Sequence, residues 1–475
     1  MQYNKEGVSM IDNYGNHITW IPDFEEKKEP IYISIAHCLE EDIKTGKLEG
    51  GFKLPPQRVI ANYLGINHST VTRAYKLCEA KGLIKGVIGK GTFVHFHAGI
   101  PQNLLTDYNL NIIEMGMVLP LYEVNDIIES SLKDVYQNID YNSILRYAPP
   151  EGHIKHRYIA SKWLSRFYLD FPPEQIIITA GTQNALSVIL VSLFDKGDRI
   201  IVDEYTYTGF ISLSKLLGII LVPVKTNEDG IDIDELKITL KRESIKGIYL
   251  IPDCHNPTTA ILSNEKRRLI AQIIENNNLL LIEDSPFSFT IQSNFKPISH
   301  YVPDNSIYIA GTSKSINPTF RISYIASPQK YVRQLNHGVN NLTWMASPLN
   351  AEIISQLLNS LKYDELIKVK VSKMKERNLL VDDILNDYHL IPNQTSLFRY
   401  LILPESISDK NIELTCLEKG VQIFSSKRFS ISTHPNQNAV RLSISGPKDI
   451  KELRKGLSII KEVIKLAEAG INPII

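Results

Sequence analysis

The stretch Gly311–Arg321, GTSKSINPTFR, follows the apolar run Ser306–Ala310, which is typical of a buried β-strand. It places Lys314 seven residues before Arg321, with Ser313 directly before the lysine. A lysine amine can form a Schiff base with an aldehyde, while a serine hydroxyl and the planar guanidinium of an arginine can hold phosphate oxygens. This is the layout of a pyridoxal-phosphate site, in which Lys314 would react with the aldehyde while Ser313 and Arg321 would bind the phosphate.

The sequence around this stretch predicts an α/β domain. Short apolar runs, which are typical of buried strands, alternate with helical patterns, and this order favours a largely parallel sheet. The predicted strands are Gln175–Thr179, Arg199–Val202, Gly247–Ile251, Leu279–Ile282 and Ser306–Ala310. Because ligand groups gather at the carboxyl ends of such strands, the residues that follow each run are the candidates for binding.

Three of these strand ends are followed by polar groups that could bind a cofactor. The segment TAGTQNAL leads through Gly181 into a helix, so the backbone amides of Gly181, Thr182 and Gln183 are expected to cradle a phosphate. In CHNPTT, the Asn256 amide can donate a hydrogen bond to a phenolate oxygen. In LLLIEDSPF, the Asp284 carboxylate can pair with a pyridine nitrogen and keep it protonated. Each motif alone is compatible with an ordinary helix cap, turn or acidic loop.

Together these motifs resemble fold-type I aminotransferases of the aspartate aminotransferase class over residues 112–475. The resemblance implies Lys314 as the Schiff-base lysine and Asp284 as the partner of the pyridinium, the two catalytic residues. The other implied cofactor ligands are Asn256 at the 3-hydroxyl oxygen and Thr182, Ser313 and Arg321 at the phosphate. It further implies that Arg441, in AVRLSIS, binds a substrate or effector carboxylate.

Two aromatic positions follow from the same resemblance. Tyr207, in DEYTYTGF, is expected to stack on the cofactor ring, although the sequence does not separate it from Tyr205. Tyr147, in LRYAPPEG, corresponds to a tyrosine that reaches the phosphate of the neighbouring subunit, which implies a homodimer.

Two positions depart from the aminotransferase pattern. These enzymes usually carry a tyrosine three residues after the aspartate, where it donates to the 3-hydroxyl oxygen, and this chain has Phe287. The Asn-Pro-Thr-Gly motif ends in Thr259 in place of glycine. Loss of the tyrosine donor is expected to weaken the proton transfers of transamination, so both changes favour binding over turnover.

The amino-terminal part of the chain predicts a DNA-binding module. Residues 53–97 form a basic island in a chain whose formal net charge is +0. Helical patterns begin near Pro30 and Pro56 and over 68–81, and a glycine-turned hairpin follows, which describes a winged helix-turn-helix. The segment 28–97 resembles the DNA-binding domain of the GntR superfamily.

That resemblance implies the residues that contact DNA. They are Arg58, His68, Ser69, Thr70, Thr72 and Arg73, with Gly89 and Gly91 shaping the wing. The family usually has arginine where this chain has His68, whose shorter and largely neutral side chain changes the base contact expected there.

The domain order predicts function. The chain consists of an extension (1–27), the winged helix (28–97), a linker (98–111) and an aminotransferase-like domain (112–475). This order of domains resembles that of the MocR/GabR-type transcription regulators. We therefore expect a regulator that binds double-stranded DNA as a homodimer, with head-to-tail subunits, and that senses pyridoxal phosphate, alone or joined to an amino acid or amine. The alternatives are a working aminotransferase with an accessory DNA-binding head and a regulator that has lost the cofactor.

Composition excludes other classes. The four cysteines form no CxxC pair and the histidines show no ligand spacing, so neither a zinc site nor a disulfide framework is expected. No signal-like segment begins the chain and no run approaches about 18 apolar residues, so we expect neither export nor membrane insertion, and a cytoplasmic location.

Overall fold

The computed structural model describes residues 10–11, 17–23, 30–81, 83–87, 90–95, 112–137, 139–291, 295–432 and 437–470. Their contacts divide the chain into two compact units, one comprising Met1–Ile112 with Leu417–Gly420 and the other Ile113–Cys416 with Val421–Ile475. The predicted linker, 98–111, and Gly89 lie outside the described residues.

The first unit is a three-helix module with a hairpin. Its elements are β1 (Met10–Ile11), β2 (His17–Ile18), α1 (Ile31–Lys44), α2 (Gln57–Leu64), α3 (His68–Ala80), β3 (Ile84–Val87) and β4 (Gly91–Val94). Gly65, in the left-handed conformation, ends α2, and the Asn67 side chain caps α3 by accepting from the Ser69 amide. Since β3 and β4 pair antiparallel after α3, the predicted winged helix-turn-helix is confirmed.

The core of this unit includes a residue that the sequence assigned to the extension. Trp20 is only 4% exposed, and its indole Nε1 donates to Oδ2 of Asp42 on α1 at 2.7 Å. The compact unit therefore begins before residue 28. A lone aromatic in a polar segment has no periodicity, which is why the sequence did not place it in the core.

The second unit carries the predicted α/β fold. Its strands are β5 (Ile113–Glu114), β6 (Ile176–Thr179), β7 (Arg199–Asp203), β8 (Ile220–Val224), β9 (Thr226–Asn227), β10 (Gly230–Ile231), β11 (Gly247–Leu250), β12 (Leu280–Ser285), β13 (Ser306–Gly311), β14 (Ser323–Ala326), β15 (His389–Leu390), β16 (Phe398–Ile402), β17 (Val421–Gln422), β18 (Phe424–Ser425) and β19 (Ala439–Ser443). Its helices are α4 (Asn125–Gln137), α5 (Tyr141–Ile144), α6 (Ile154–Ser165), α7 (Thr182–Leu193), α8 (Thr208–Leu217), α9 (Ile233–Arg242), α10 (Asn264–Asn276), α11 (Ile298–Tyr301), α12 (Gln329–Thr343), α13 (Pro348–Leu358), α14 (Leu361–Ile384), α15 (Asp409–Glu418) and α16 (Ile450–Glu468).

Seven strands form the main sheet in the order β6-β14-β13-β12-β11-β7-β8. All run in one direction except β14, which pairs antiparallel with β13 and with β6. Apart from the edge strand β8, which is partly exposed, these strands are buried along most of their length, as expected for a sheet covered on both faces. The carboxyl ends of β6, β11, β12 and β13 therefore meet at one edge, where the candidate site lies.

A second sheet of four strands, in the order β15-β16-β19-β18, follows in the carboxyl-terminal part. Arg441 lies on β19 between Tyr400 of β16 and Phe424 of β18. This register places the arginine on the inner strand of the smaller sheet.

Candidate functional site

Lys314 lies just after β13, and its side chain is partly buried. The Nζ donates a hydrogen bond to the Val118 carbonyl oxygen. Burial, together with the nearby cations Arg441 and Arg321, lowers the pKa of Lys314 to about 8. A substantial neutral fraction near physiological pH is what a lysine needs in order to attack an aldehyde.

Asp284, at the end of β12, is 2% exposed. The Tyr249 hydroxyl donates to its Oδ2 at 2.9 Å, whereas Oδ1 is buried and has no hydrogen-bond partner among the described residues. Desolvation raises the pKa of Asp284 to about 7. The sequence did not indicate Tyr249, because a tyrosine inside an apolar strand looks like an ordinary core residue.

The ring of Tyr249 is itself held in place. Phe210 of α8 stacks on it with centroids 3.8 Å apart and an interplanar angle of 8°. This contact supports the hydroxyl that faces Asp284.

A cradle forms where β6 enters α7. Gly181 has a φ of +87°, and a Cβ there would lie 2.3 Å from Nη2 of Arg321. Arg321 donates to the Ala180 carbonyl at 3.3 Å, and its Nη1 lies 3.5 Å from the Ser313 hydroxyl. The structure thus brings Gly181, Ser313 and Arg321 together at the amino terminus of α7, a position that favours anions.

Thr182 and Gln183 complete the start of α7. A Cβ at Gly311 would lie 2.7 Å from the Thr182 hydroxyl, so this hydroxyl is close to the segment that carries Lys314. The Gln183 side chain donates to the Gly209 carbonyl at 3.1 Å. The backbone amide of Gln183 is therefore the group of this residue that can contribute to the cradle.

Arg441 and Asn256 are in direct contact. Nη1 of Arg441 donates to Oδ1 of Asn256 at 2.7 Å, and Nη2 donates to the Gly116 carbonyl. The guanidinium carbon lies 4.5 Å from the centre of the Phe429 ring, with Phe398 also nearby. Burial lowers the pKa of Arg441 to about 9. Its Nε is buried and unpartnered among the described residues, so the guanidinium retains capacity for an anion.

The structure separates Tyr205 from Tyr207. The Tyr205 hydroxyl accepts from the Gln437 amide at 2.8 Å, outside the cradle. Tyr207 has its pKa raised by burial and by the charge of Asp284, while Arg321 and Arg441 act in the opposite sense. Because the charges of all three site residues act on its hydroxyl, Tyr207 lies closer to them than Tyr205 does, and its stacking on a cofactor ring stays a prediction.

Tyr147 lies on the surface. Its side chain is 81% exposed, and its ring centroid is 6.1 Å from that of Trp344, which is also exposed. The sequence-based role of Tyr147 in a neighbouring subunit stays a prediction.

Both departures from the aminotransferase pattern are buried. The Phe287 ring lies 5.4 Å from that of Phe398. Thr259 has a φ of +64°, a left-handed conformation that favours glycine, and Asn393 donates to its carbonyl at 3.1 Å. Thr259 therefore adopts the backbone conformation that a glycine would favour at this position.

In the winged helix, Arg58, His68 and Ser69 are exposed, whereas Thr70, Thr72 and Arg73 are partly buried. The Thr72 hydroxyl donates to Gln57 at 2.8 Å, and the Arg73 guanidinium lies 4.3 Å from the centre of the Tyr32 ring. The exposed Gly91 has a φ of +112° at the start of β4. The contacts of Thr72 and Arg73 within the unit were not evident from the sequence, because both depend on neighbouring helices.

Within the described ranges, none of the helices is both long and apolar enough to cross a membrane. The same ranges contain no group of three or more His, Cys, Asp or Glu residues able to hold a metal ion.

Comparison with known proteins agrees with this architecture. Residues 112–458 match the family "Aminotransferase class I and II", and residues 31–94 match the "Bacterial regulatory proteins, gntR family". The HTH-type transcriptional regulator YdeF of Bacillus subtilis, described as uncharacterized, is 35% identical over 458 residues, which cover 96% of this chain and 99% of YdeF. The chain belongs to the MocR-type transcription regulators.

Solved structures support the fold of this MocR-type regulator. An archaeal alanine:glyoxylate aminotransferase has a TM-score of 0.71 at 22% identity, covering 76% of this chain and 93% of that chain. The alpha-aminoadipate aminotransferase of Thermus thermophilus has a TM-score of 0.69 at 21% identity, covering 78% and 95%.

Family membership implies pyridoxal phosphate as the cofactor of this MocR-type regulator, as the sequence predicted. The residues present fit that group on three counts. Among the described residues Oδ1 of Asp284 has no donor, the lack of a Cβ at Gly181 lets the Arg321 guanidinium lie against the start of α7, and the Lys314 amine has a lowered pKa.

Proposed function

We propose that this MocR-type regulator binds DNA through its winged helix and senses amino compounds through the pyridoxal-phosphate site. The observation that carries this proposal is the buried Oδ1 of Asp284, which has no hydrogen-bond partner in the part of the chain that the structure describes. An unsatisfied buried acceptor is costly, and a protonated pyridine nitrogen is a donor that would relieve it. A domain retained only as a scaffold has no need of such an acceptor.

The proposed roles follow from the surroundings of each residue. Bound pyridoxal phosphate supplies an aldehyde that condenses with amines and a ring that withdraws electrons. Lys314 would offer the amine, Asp284 would accept a proton at Oδ1, and Gly181, Ser313 and Arg321 would hold the phosphate. Tyr207 would lie against the ring, and Asn256 is oriented by its hydrogen bond from Arg441.

Arg441 is the proposed link between an amino-acid effector and the signal. A carboxylate that binds its guanidinium bidentately would compete with the present acceptors, Asn256 and the Gly116 carbonyl. Gly116 lies close in sequence to Val118, whose carbonyl accepts from Lys314. An amino acid would therefore act on Lys314, Asn256 and the segment 116–118 together, which provides differential contacts between effector-free and effector-bound states.

Two measurements on the full-length protein test this function. The first is the visible absorbance of the cofactor in the wild type and in Lys314→Ala, followed during addition of a panel of amino acids and amines. The second is fluorescence anisotropy of labelled promoter DNA with the same compounds. We expect a Lys314-dependent band that one compound shifts and DNA affinity that the same compound changes. A wild-type band that is absent after cofactor addition, or DNA affinity that no band-shifting compound alters, would refute the proposal.

We also propose a homodimer, in which Tyr147 reaches the partner's phosphate site. The supporting feature is a set of exposed apolar side chains in two segments: Leu145 and Tyr147 follow α5, while Leu342 lies in the last turn of α12 and Trp344 directly follows that helix. The Tyr147 and Trp344 rings are neighbours, and the Ala148 amide lies 3.1 Å from Sδ of Met345, so the two segments are in contact. The Glu151 carbonyl accepts from the amide of Ile178 on β6, the strand that leads into the cradle. Head-to-tail subunits and a cytoplasmic location remain part of this proposal.

A working aminotransferase is the second candidate, because Lys314 and Asp284 occupy the positions that transamination requires. Phe287, which cannot donate a hydrogen bond, counts against it. Release of a keto acid with full conversion of the cofactor to its pyridoxamine form would favour this candidate over a sensor.

A further inference from the structure

A second lysine lies beneath the candidate cofactor lysine. Lys370, in the middle of α14, is 2% exposed, and its Nζ donates to the carbonyl oxygens of Lys314 at 3.1 Å and of Ile316 at 2.8 Å. No carboxylate lies within ion-pair distance of this ammonium in the part of the chain that the structure describes. Its hydrogen-bond acceptors are thus two backbone carbonyls that flank Ser315.

Such an arrangement is unusual for a residue that serves packing alone. The neighbours of Lys370 on the same face of α14, Leu366 and Met374, are buried in the hydrophobic core. A lysine there is desolvated without a counter-ion, which costs free energy that methionine or leucine would not. By contrast Lys266, another buried lysine, forms an ion pair with Asp229 at 3.0 Å.

We propose that Lys370 is a positioning residue for Lys314, holding the turn that presents the Lys314 amine. The two hydrogen bonds constrain the backbone on both sides of Ser315, so they restrict where Lys314 projects. This inference rests on the proposed function, in which Lys314 is the cofactor lysine.

The charges near Lys314 and Lys370 determine the pKa of each of the two amines. Lys314 faces Arg441 and Arg321, and Lys370 faces Lys314. Burial and the charge of Lys314 lower the pKa of Lys370 to about 7. Because the pKa of Lys370 is the lower of the two, Lys370 has lost most of its proton at the pH where Lys314 titrates. Removing Lys370 should therefore change the pKa of Lys314 little, and the effect expected on Lys314 is positional, through the two hydrogen bonds.

The experiment uses full-length Lys370→Met and Lys370→Gln with added pyridoxal phosphate. The Lys314-dependent absorbance is titrated against pH, and cofactor affinity is measured at fixed pH. We expect the pH midpoint to stay close to that of the wild type in both variants, since Lys370 is largely neutral at the pH where Lys314 titrates. We expect cofactor affinity to fall about 10-fold in the methionine variant and less in the glutamine variant, which keeps a donor.

Lys266→Met is the matched control, because it removes a buried lysine of α10 that does not contact Lys314. It should lower thermal stability and leave the cofactor affinity unchanged. Should Lys370→Met fail to fold, the cofactor affinity of Lys370→Gln, compared with that of Lys266→Met, decides the question. A folded Lys370→Met variant with the wild-type cofactor affinity would overturn the positioning role. A wild type with no Lys314-dependent absorbance would instead refute the proposed function, so the two failures are distinguishable.

Discussion

The Tyr249 hydroxyl donates to one oxygen of Asp284 and leaves the other oxygen buried with no hydrogen-bond partner in the described structure. The two residues lie on the neighbouring parallel strands β11 and β12, near the edge where Lys314 also lies. Because burial raises the pKa of Asp284 to about 7, the cofactor-free carboxyl is partly protonated at neutral pH. A pyridine nitrogen that shares its proton with Oδ1 would favour the ionised form.

Asp284→Asn tests this relationship. A carboxyl whose folded pKa is raised favours folding below its unfolded pKa and loses that contribution as pH rises towards about 7. The cofactor-free variant should therefore be more stable than the wild type at pH 8, by about 1 to 2 kcal/mol, with a smaller difference at pH 5. Thermal unfolding at the two pH values measures this. Cofactor affinity should fall in the same variant, and an unchanged affinity would contradict the role of Asp284.

Gly181→Ala tests the phosphate cradle. The new Cβ would lie 2.3 Å from Nη2 of Arg321, so we expect cofactor affinity to fall by about 10-fold or more. Gly197→Ala is the matched control, since Gly197 has a φ of +95° and a Cβ added there would have no heavy atom within 4 Å. Both variants bear backbone strain, and equal losses of cofactor affinity would show that strain, not the clash with Arg321, is responsible.

Phe287→Tyr tests whether the missing hydroxyl limits turnover. The new hydroxyl would stand where aminotransferases have a donor to the 3-hydroxyl oxygen, and general acid–base assistance of this kind contributes about 10²-fold or more to rate. We expect faster conversion of the cofactor to its pyridoxamine form with an amino acid. The rate is followed by absorbance after rapid mixing. A rate equal to that of the wild type would show that Phe287 does not set the difference between sensor and enzyme.

Arg58→Ala tests the DNA-contacting face. Arg58 is exposed on α2, and loss of one phosphate contact should weaken binding uniformly across sequences and reduce the salt slope by about one. Anisotropy titrations at several salt concentrations measure both quantities. Arg454→Ala, at an exposed position on α16 in the other unit, should leave both unchanged. If Arg58→Ala kept the wild-type salt dependence of DNA binding, Arg58 would not contact a DNA phosphate.

Mixing Lys314→Ala with Tyr147→Ala tests the dimer. If Tyr147 serves the partner's site, each variant alone has two defective sites, whereas a mixed dimer regains one site with both residues intact. Cofactor absorbance should then rise after subunit exchange above the average of the separate variants. Absorbance equal to that average would mean that Tyr147 acts within its own subunit or not at all.

The candidate site residues could be named from the sequence because they lie at strand ends within short motifs. Gly181, Asp284 and Lys314 each follow an apolar run, and parallel strands bring their carboxyl ends to one edge without any further information. Tyr249 and Lys370 could not be found in this way. The first is indistinguishable from a core tyrosine, and the second lies on a helix whose position against the sheet is not written in local periodicity.

The sequence alone determined the two domains' fold classes, the regulator family and the cofactor. Local patterns encode these properties, since the helix and strand periods, and the spacing of the motif between Gly311 and Arg321, can be read directly from the sequence. The tertiary structure decided which groups are left unsatisfied. Oδ1 of Asp284 has no hydrogen-bond partner among the described residues, and Lys370 donates hydrogen bonds to two backbone carbonyls. Both situations arise because the packing of residues far apart in sequence excludes water from these groups. Burial and pairing are long-range properties, so they appear only when the chain is folded.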